Sequence, residues 1–171
     1  MTLLLFGLVG LFLRQSEEVK GLGLAGFILA FIGNIWVYGL IVMEGFVWPA
    51  VGFYYPEAVH NFDSNLPGPE GAELVFVFFL GMAVFAVGYI MFGIATMRAG
   101  VLPRFGGLLI AIGATVYIIG GFTIRVFGPE SFTVSLIEII VAVPFGLGIA
   151  WLGYTLWSRT GEIAGQSRPA M

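Results

Sequence analysis

The chain has 171 residues, 59% of them apolar and only 10% charged, with a mean hydropathy of +1.02 and a formal net charge of −3. That composition excludes an ordinary water-soluble core and points to a single membrane domain. There is no cysteine, which excludes disulfides, thiolate metal centres, iron–sulfur clusters and a cysteine nucleophile, and no basic stripe, which sets nucleic-acid binding aside.

The first element, Met1–Leu13, is apolar. As a helix it would rise only about 20 Å, short of the ~30 Å of hydrocarbon in a bilayer. It reads as a short first helix with its N-terminus outward. A signal peptide needs charges before its apolar part and a small-residue cleavage site; here the charges follow, and Ala-x-Ala is missing. A start displaced from that of the natural gene, with more helix upstream, is the alternative. The gap Arg14-Gln15-Ser16-Glu17-Glu18-Val19-Lys20 comes next, then the apolar run Leu22–Met43.

A second gap, from about Glu44 to Glu73, holds Glu44, Glu57, Asp63, Glu70 and Glu73 and no Lys or Arg. It is also rich in aromatics (Phe46, Trp48, Phe53, Tyr54, Tyr55, Phe62), interrupted by Pro49 and Pro56. Such rings favour the membrane interface, so this segment is expected to lie on the bilayer as a cap over the helix ends. The runs Leu74–Met97, Phe105–Ile124 and Phe132–Trp157 complete the apolar set. Between them, Gly100 ends one helix and Pro103 opens the next, and Ser131 is positioned to cap the last. The polar tail 158–171 is expected to be disordered.

Each apolar run from Leu22 onward has the ~20 residues a spanning helix needs. None alternates polar and apolar residues as a barrel strand would, so the class is all-α. Basic residues near span ends stay on the cytoplasmic side. Arg14, Lys20, Arg98, Arg104, Arg159 and Arg168 share one side, and only Arg125 breaks the pattern. The expected architecture is a polytopic helical membrane protein of about five transmembrane helices, N-terminus out and C-terminus in. Residues 1–157 form the single helical domain, with an outer loop at 44–73.

Glycine supplies the packing signal. Of 26 glycines, Gly81 and Gly88 form one heptad-spaced set and Gly106, Gly113 and Gly120 another. Two helical turns separate the members, so each set lies on one stripe. Helices associate in lipid where small residues let backbones approach. The third and fourth apolar helices are therefore expected to pack through these stripes. Gly26-x3-Ala30, Gly107-x3-Ala111 and Gly146-x3-Ala150 fit the same rule.

Few residues carry chemistry. Glu138, within Leu136-Ile137-Glu138-Ile139-Ile140, is the most costly group to place in a span. Arg125 is its natural partner, and Glu44 is positioned to share the arginine. The plain reading is a structural ion pair; a proton or cation site and an interface with another protein are the alternatives. Asn34 lies near the middle of its span, where an asparagine most often bonds a neighbouring helix and less often a substrate. Pro144 should kink the last helix. His60 with Glu57 and Asp63 reads as solvated, with a metal site as the minor alternative. No nucleophile–base pair or phosphate loop is visible, and no histidine inside a span is available for haem or chlorophyll.

The stretch Met97-Arg98-Ala99-Gly100-Val101-Leu102-Pro103-Arg104-Phe105-Gly106-Gly107-Leu108-Leu109, with Trp151-Leu152-Gly153-Tyr154-Thr155-Leu156-Trp157 and Met43-Glu44-Gly45-Phe46-Val47-Trp48-Pro49, resembles uncharacterised small polytopic membrane proteins of bacteria. The resemblance implies a helical fold in the bacterial cell membrane, with a full helix before the Arg14 turn, and carries no activity. The expected function is a non-catalytic integral membrane protein: an accessory subunit of a larger assembly or a small homo-oligomer, with no cofactor. Its partners would be the lipid bilayer and other membrane subunits or itself. The alternative is a small transporter or ion-conducting protein using Glu138 and Asn34. An enzyme ranks third, because the spans hold too few polar residues.

Overall fold

A computed structural model describes residues 2–57, 69–127 and 143–158. Every regular element among them is helical. The first stretch, Thr2–Val42, is interrupted at Lys20, whose φ of 47° and ψ of −152° are not helical. It is therefore two helices, α1 (residues 2–19) and α2 (residues 21–42). A π-helical turn, Met43–Val47, joins α2 to the short α3, Trp48–Tyr54. Then come α4 (Pro69–Ala99), α5 (Arg104–Phe127) and α6 (residues 143–158).

The chain doubles back at Lys20. The rings of Phe12 and Phe27 stack with centroids 4.3 Å apart, whereas in a straight helix they would stand about 22 Å apart. The first helix is not the short element expected from its apolar stretch. It continues through the polar residues to Val19 and so reaches about 27 Å. The reason is its inward face: Leu8, Leu11, Gln15 and Val19 are buried one above another, while Arg14, Glu17 and Glu18 point outward. Reversal then falls to one residue. Lys20 sits in a backbone region natural to glycine, and such strain costs of order 1–3 kcal/mol. Lys20→Gly is expected to raise stability in detergent by about 1 kcal/mol, read as a higher melting temperature; an unchanged or lower one would mean the turn is unstrained.

Between α2 and α4 the backbones meet at glycines. A Cβ on Gly33 would collide with the Phe85 backbone, one on Gly88 with the Ala30 backbone, and one on Gly26 with the backbone of Met91 and Phe92. Positions rise along α2 as they fall along α4, so the two helices are antiparallel. Gly81 lies beneath the Trp36 indole. α4 meets α5 at Gly93 and Gly107, each of which faces the other's carbonyl oxygen, with Ala111 beside them. α5 meets α6 where Gly106 takes Leu152, Gly113 takes Phe145, and Gly148 rests on Leu109 and Ile110. Both of these crossings are antiparallel as well. A Cβ on Gly10 of α1 would stand 3.4 Å from the Leu156 side chain of α6.

Two expectations about glycine need correction. Gly106 and Gly113 face the last helix, not the α4 glycines; Gly107 and Ala111 make that contact. Adjacent helical residues lie about 100° apart, so Gly106 and Gly107 serve different neighbours. Gly81 and Gly88 in turn face α2. The pair Gly146 and Ala150 is exposed on the outer side of α6, and Gly148 is the buried glycine there.

α4 is the centre of the molecule. Its Ala86, Tyr89 and Phe92 are fully enclosed. The outer surface is apolar too: Leu24, Ile28 and Ile35 of α2 and Phe105, Ile112 and Ile119 of α5 are all exposed. A helix apolar on every side belongs in the core of a large protein or in lipid. Two helical stretches, Thr2–Tyr54 and Phe76–Ala99, are long and apolar enough to cross a membrane, and Arg104–Tyr117 is a shorter apolar helix.

The α4–α5 turn matches its sequence signals. Gly100 adopts a φ of 68° and α5 begins directly after Pro103. α3 buries none of its residues, and Phe46, Phe53, Tyr54 and Tyr55 are exposed.

Candidate functional site

Three polar side chains are buried among the described residues: Gln15, Asn34 and Thr96. With the Tyr89 hydroxyl they make two pairs along α4. Tyr89 and Thr96 are two helical turns apart, so both lie on one face, about 10 Å from each other.

At the first pair, Asn34 Nδ2 donates to the Ala30 carbonyl at 2.7 Å and to Tyr89 Oη at 2.6 Å. The Ala30 bond stays within α2, whereas the Tyr89 bond ties α2 to α4. Gly33 and Gly88 allow this approach, since they let the two backbones close on either side of the bond. The Tyr89 ring is held by neighbours: Phe145 packs edge-on at 4.8 Å and Phe85 at 4.7 Å, with Tyr117 against Phe85 at 5.0 Å. Rings at such separations attract through their quadrupoles as well as by burial.

At the second pair, Thr96 Oγ1 donates to the Phe92 carbonyl at 2.9 Å and accepts from Gln15 Nε2 at 3.0 Å. This bond ties α1 to α4. A threonine hydroxyl has one hydrogen; because the Phe92 carbonyl takes it, the Gln15 amide must present its nitrogen. Gln15 Oε1 and Asn34 Oδ1 are both buried and accept from no described group.

Of the four residues singled out in the sequence, the structure describes the side chain of Asn34 alone. Its amide bonds a neighbouring helix through Tyr89, the role the sequence suggests for it. Glu138 lies outside the described residues. Arg125 is on the α5 backbone and Glu44 in the π-helical turn, but their side chains are outside the described set. The proposed Arg125–Glu138 pairing is therefore a matter for experiment. His60 and Asp63 also lie outside the described residues, and so does the segment preceding Val143 and Pro144, where α6 begins to be described.

Gln15, Tyr89 and Thr96 escaped the sequence reading. Gln15 sits in a charged gap; its spacing from Leu11 and Val19 is the available signal. Tyr89 and Thr96 were absorbed into an apolar run. The arrangement can hold helices in register, and it contains no described carboxylate, lysine, arginine or histidine that could move a proton at neutral pH. Comparison with known protein families, with curated proteins and with solved structures gives no match.

Proposed function

We propose that this chain is a non-catalytic integral membrane protein, an accessory subunit of a larger assembly or a small homo-oligomer. One observation carries the reading: among the described residues, the helices close on one another by backbone contact. At Gly26, Gly33, Gly88, Gly93 and Gly107 helices touch without side chains between them, and the buried polar groups there bond one helix to the next. Crossings so tight suit a scaffold, because a substrate path between these helices would need room and ligating groups. The apolar outer faces support burial in lipid, and the alternating directions of α1, α2, α4, α5 and α6 support five crossings. With the basic gaps held on the cytoplasmic side, the N-terminus is outward and the C-terminus inward.

Purification in mild detergent tests this function. The expected result is a particle larger than the monomer, holding either stable partner proteins or further copies of the chain. A monomer that carries protons or cations into liposomes, with flux lost in Glu138→Gln, would overturn it in favour of a transporter built on Glu138 and Asn34. A double-mutant cycle with Arg125→Met and Glu138→Gln separates the two uses of the acid. An ion pair of architectural value predicts that the double variant loses less than the two single losses combined. Additive losses would leave Glu138 a free intramembrane acid.

A further inference from the structure

The Asn34–Tyr89 pair is incomplete in a way that specifies its third member. An asparagine amide has two N–H hydrogens and one carbonyl oxygen. Its orientation is set here by chemistry: the atom 2.7 Å from the Ala30 carbonyl must be the nitrogen, because two carbonyl oxygens at that distance would repel. Both N–H groups are then engaged, one by Ala30 and one by Tyr89 Oη. Tyr89 Oη is thus the acceptor in that bond, and its own O–H hydrogen has no acceptor among the described residues. Asn34 Oδ1 has no donor among them either. An enclosed O–H that lacks an acceptor and an enclosed C=O that lacks a donor thus belong to one bonded pair.

One small neutral molecule answers both needs if it has a lone pair and a hydrogen. A cation does not. One Nδ2 hydrogen already points at Tyr89 Oη, and the buried polar residues described are Gln15, Asn34 and Thr96, none of them anionic. A bare charge would stand uncompensated in low dielectric. Internal waters make about two to four hydrogen bonds to buried polar groups that otherwise lack them, and this pair supplies two. Full enclosure of Asn34 excludes a lipid hydroxyl reaching in from the bilayer.

We propose that Asn34 and Tyr89 bind a single internal water between α2 and α4, which accepts from the Tyr89 hydroxyl and donates to Asn34 Oδ1. The water makes the α2–α4 bond a three-membered network, closed by Ala30 at one end.

The test uses the full chain in detergent micelles, with asparagine labelled with nitrogen-15. Asn34 side-chain hydrogens should show a direct dipolar contact to water, told from chemical exchange by its sign in the rotating frame. In Tyr89→Phe, where the water loses its donor, the contact should fall at least twofold. Titration with sodium or potassium chloride should leave the Asn34 signal in place. A resolved Asn34 signal with no water contact in the unaltered chain would overturn the proposal, whether or not the variant folds. A saturable salt-dependent shift would overturn it too, and would assign the site to a cation.

Discussion

Gly33→Ala and Gly88→Ala are each expected to destabilise the protein in detergent by about 2 kcal/mol or more, while Gly39→Ala and Gly146→Ala stabilise it by up to about 1 kcal/mol. The chemistry of the four substitutions is the same, and only the neighbour differs. A Cβ at Gly33 would overlap the Phe85 backbone and one at Gly88 the Ala30 backbone. Backbone cannot step aside by changing rotamer, so α2 and α4 must separate. That separation also stretches the Asn34–Tyr89 bond, which bridges the same two helices. At Gly39 and Gly146 nothing lies within 4 Å of the added carbon, and alanine there gains its ordinary helical advantage over glycine. The measurement is a set of four melting curves. If all four shift the same way, the glycines act through helix propensity alone and the close-contact account fails.

Asn34→Leu and Tyr89→Phe should each lower stability, and the double variant should lose less than their sum. Asn34→Leu leaves the Tyr89 hydroxyl enclosed without the Asn34 amide, and a buried polar group so stranded costs about 1–3 kcal/mol. Tyr89→Phe keeps the ring among Phe85, Phe145 and their neighbours, but leaves one Asn34 hydrogen without its acceptor. With both changed, neither orphan remains. A coupling of about 1 kcal/mol is expected, in the range found for polar contacts between helices in membranes. Independent, additive losses would show that the 2.6 Å bond contributes nothing to holding α2 on α4.

The helices were legible in the sequence for a simple reason: long apolar runs in lipid have no other way to bond their backbones. Gly100 and Pro103 marked their turn for equally local reasons. The small-residue rule found Gly26 with Ala30 and Gly107 with Ala111, because a small residue next to another helix leaves a period in the chain. The identity of that other helix leaves none. Gly106 and Gly107 are adjacent in sequence yet face α6 and α4, a difference decided by rotation about the α5 axis. Gln15 is hidden for a similar reason. Among Arg14, Glu17 and Glu18 it looks solvated, and only the continuation of α1 to Val19 turns it inward to Thr96. Asn34 was legible as an inter-helix contact, but its partner Tyr89 was not, since a tyrosine in an apolar run shows its ring before its hydroxyl.

Site-specific labelling from either side of the membrane tests the central claim most directly. The chain has no cysteine, so Ser16→Cys and Ser64→Cys each introduce a single reactive thiol. Ser16 is exposed near the end of α1, close to the reversal at Lys20; Ser64 lies in the acidic gap that carries no basic residue. An impermeant thiol reagent applied to intact cells should label the Ser64 position and spare the Ser16 position until the membrane is opened. Labelling of both positions from the same side would contradict a bundle of five crossings with its basic turns in the cytoplasm.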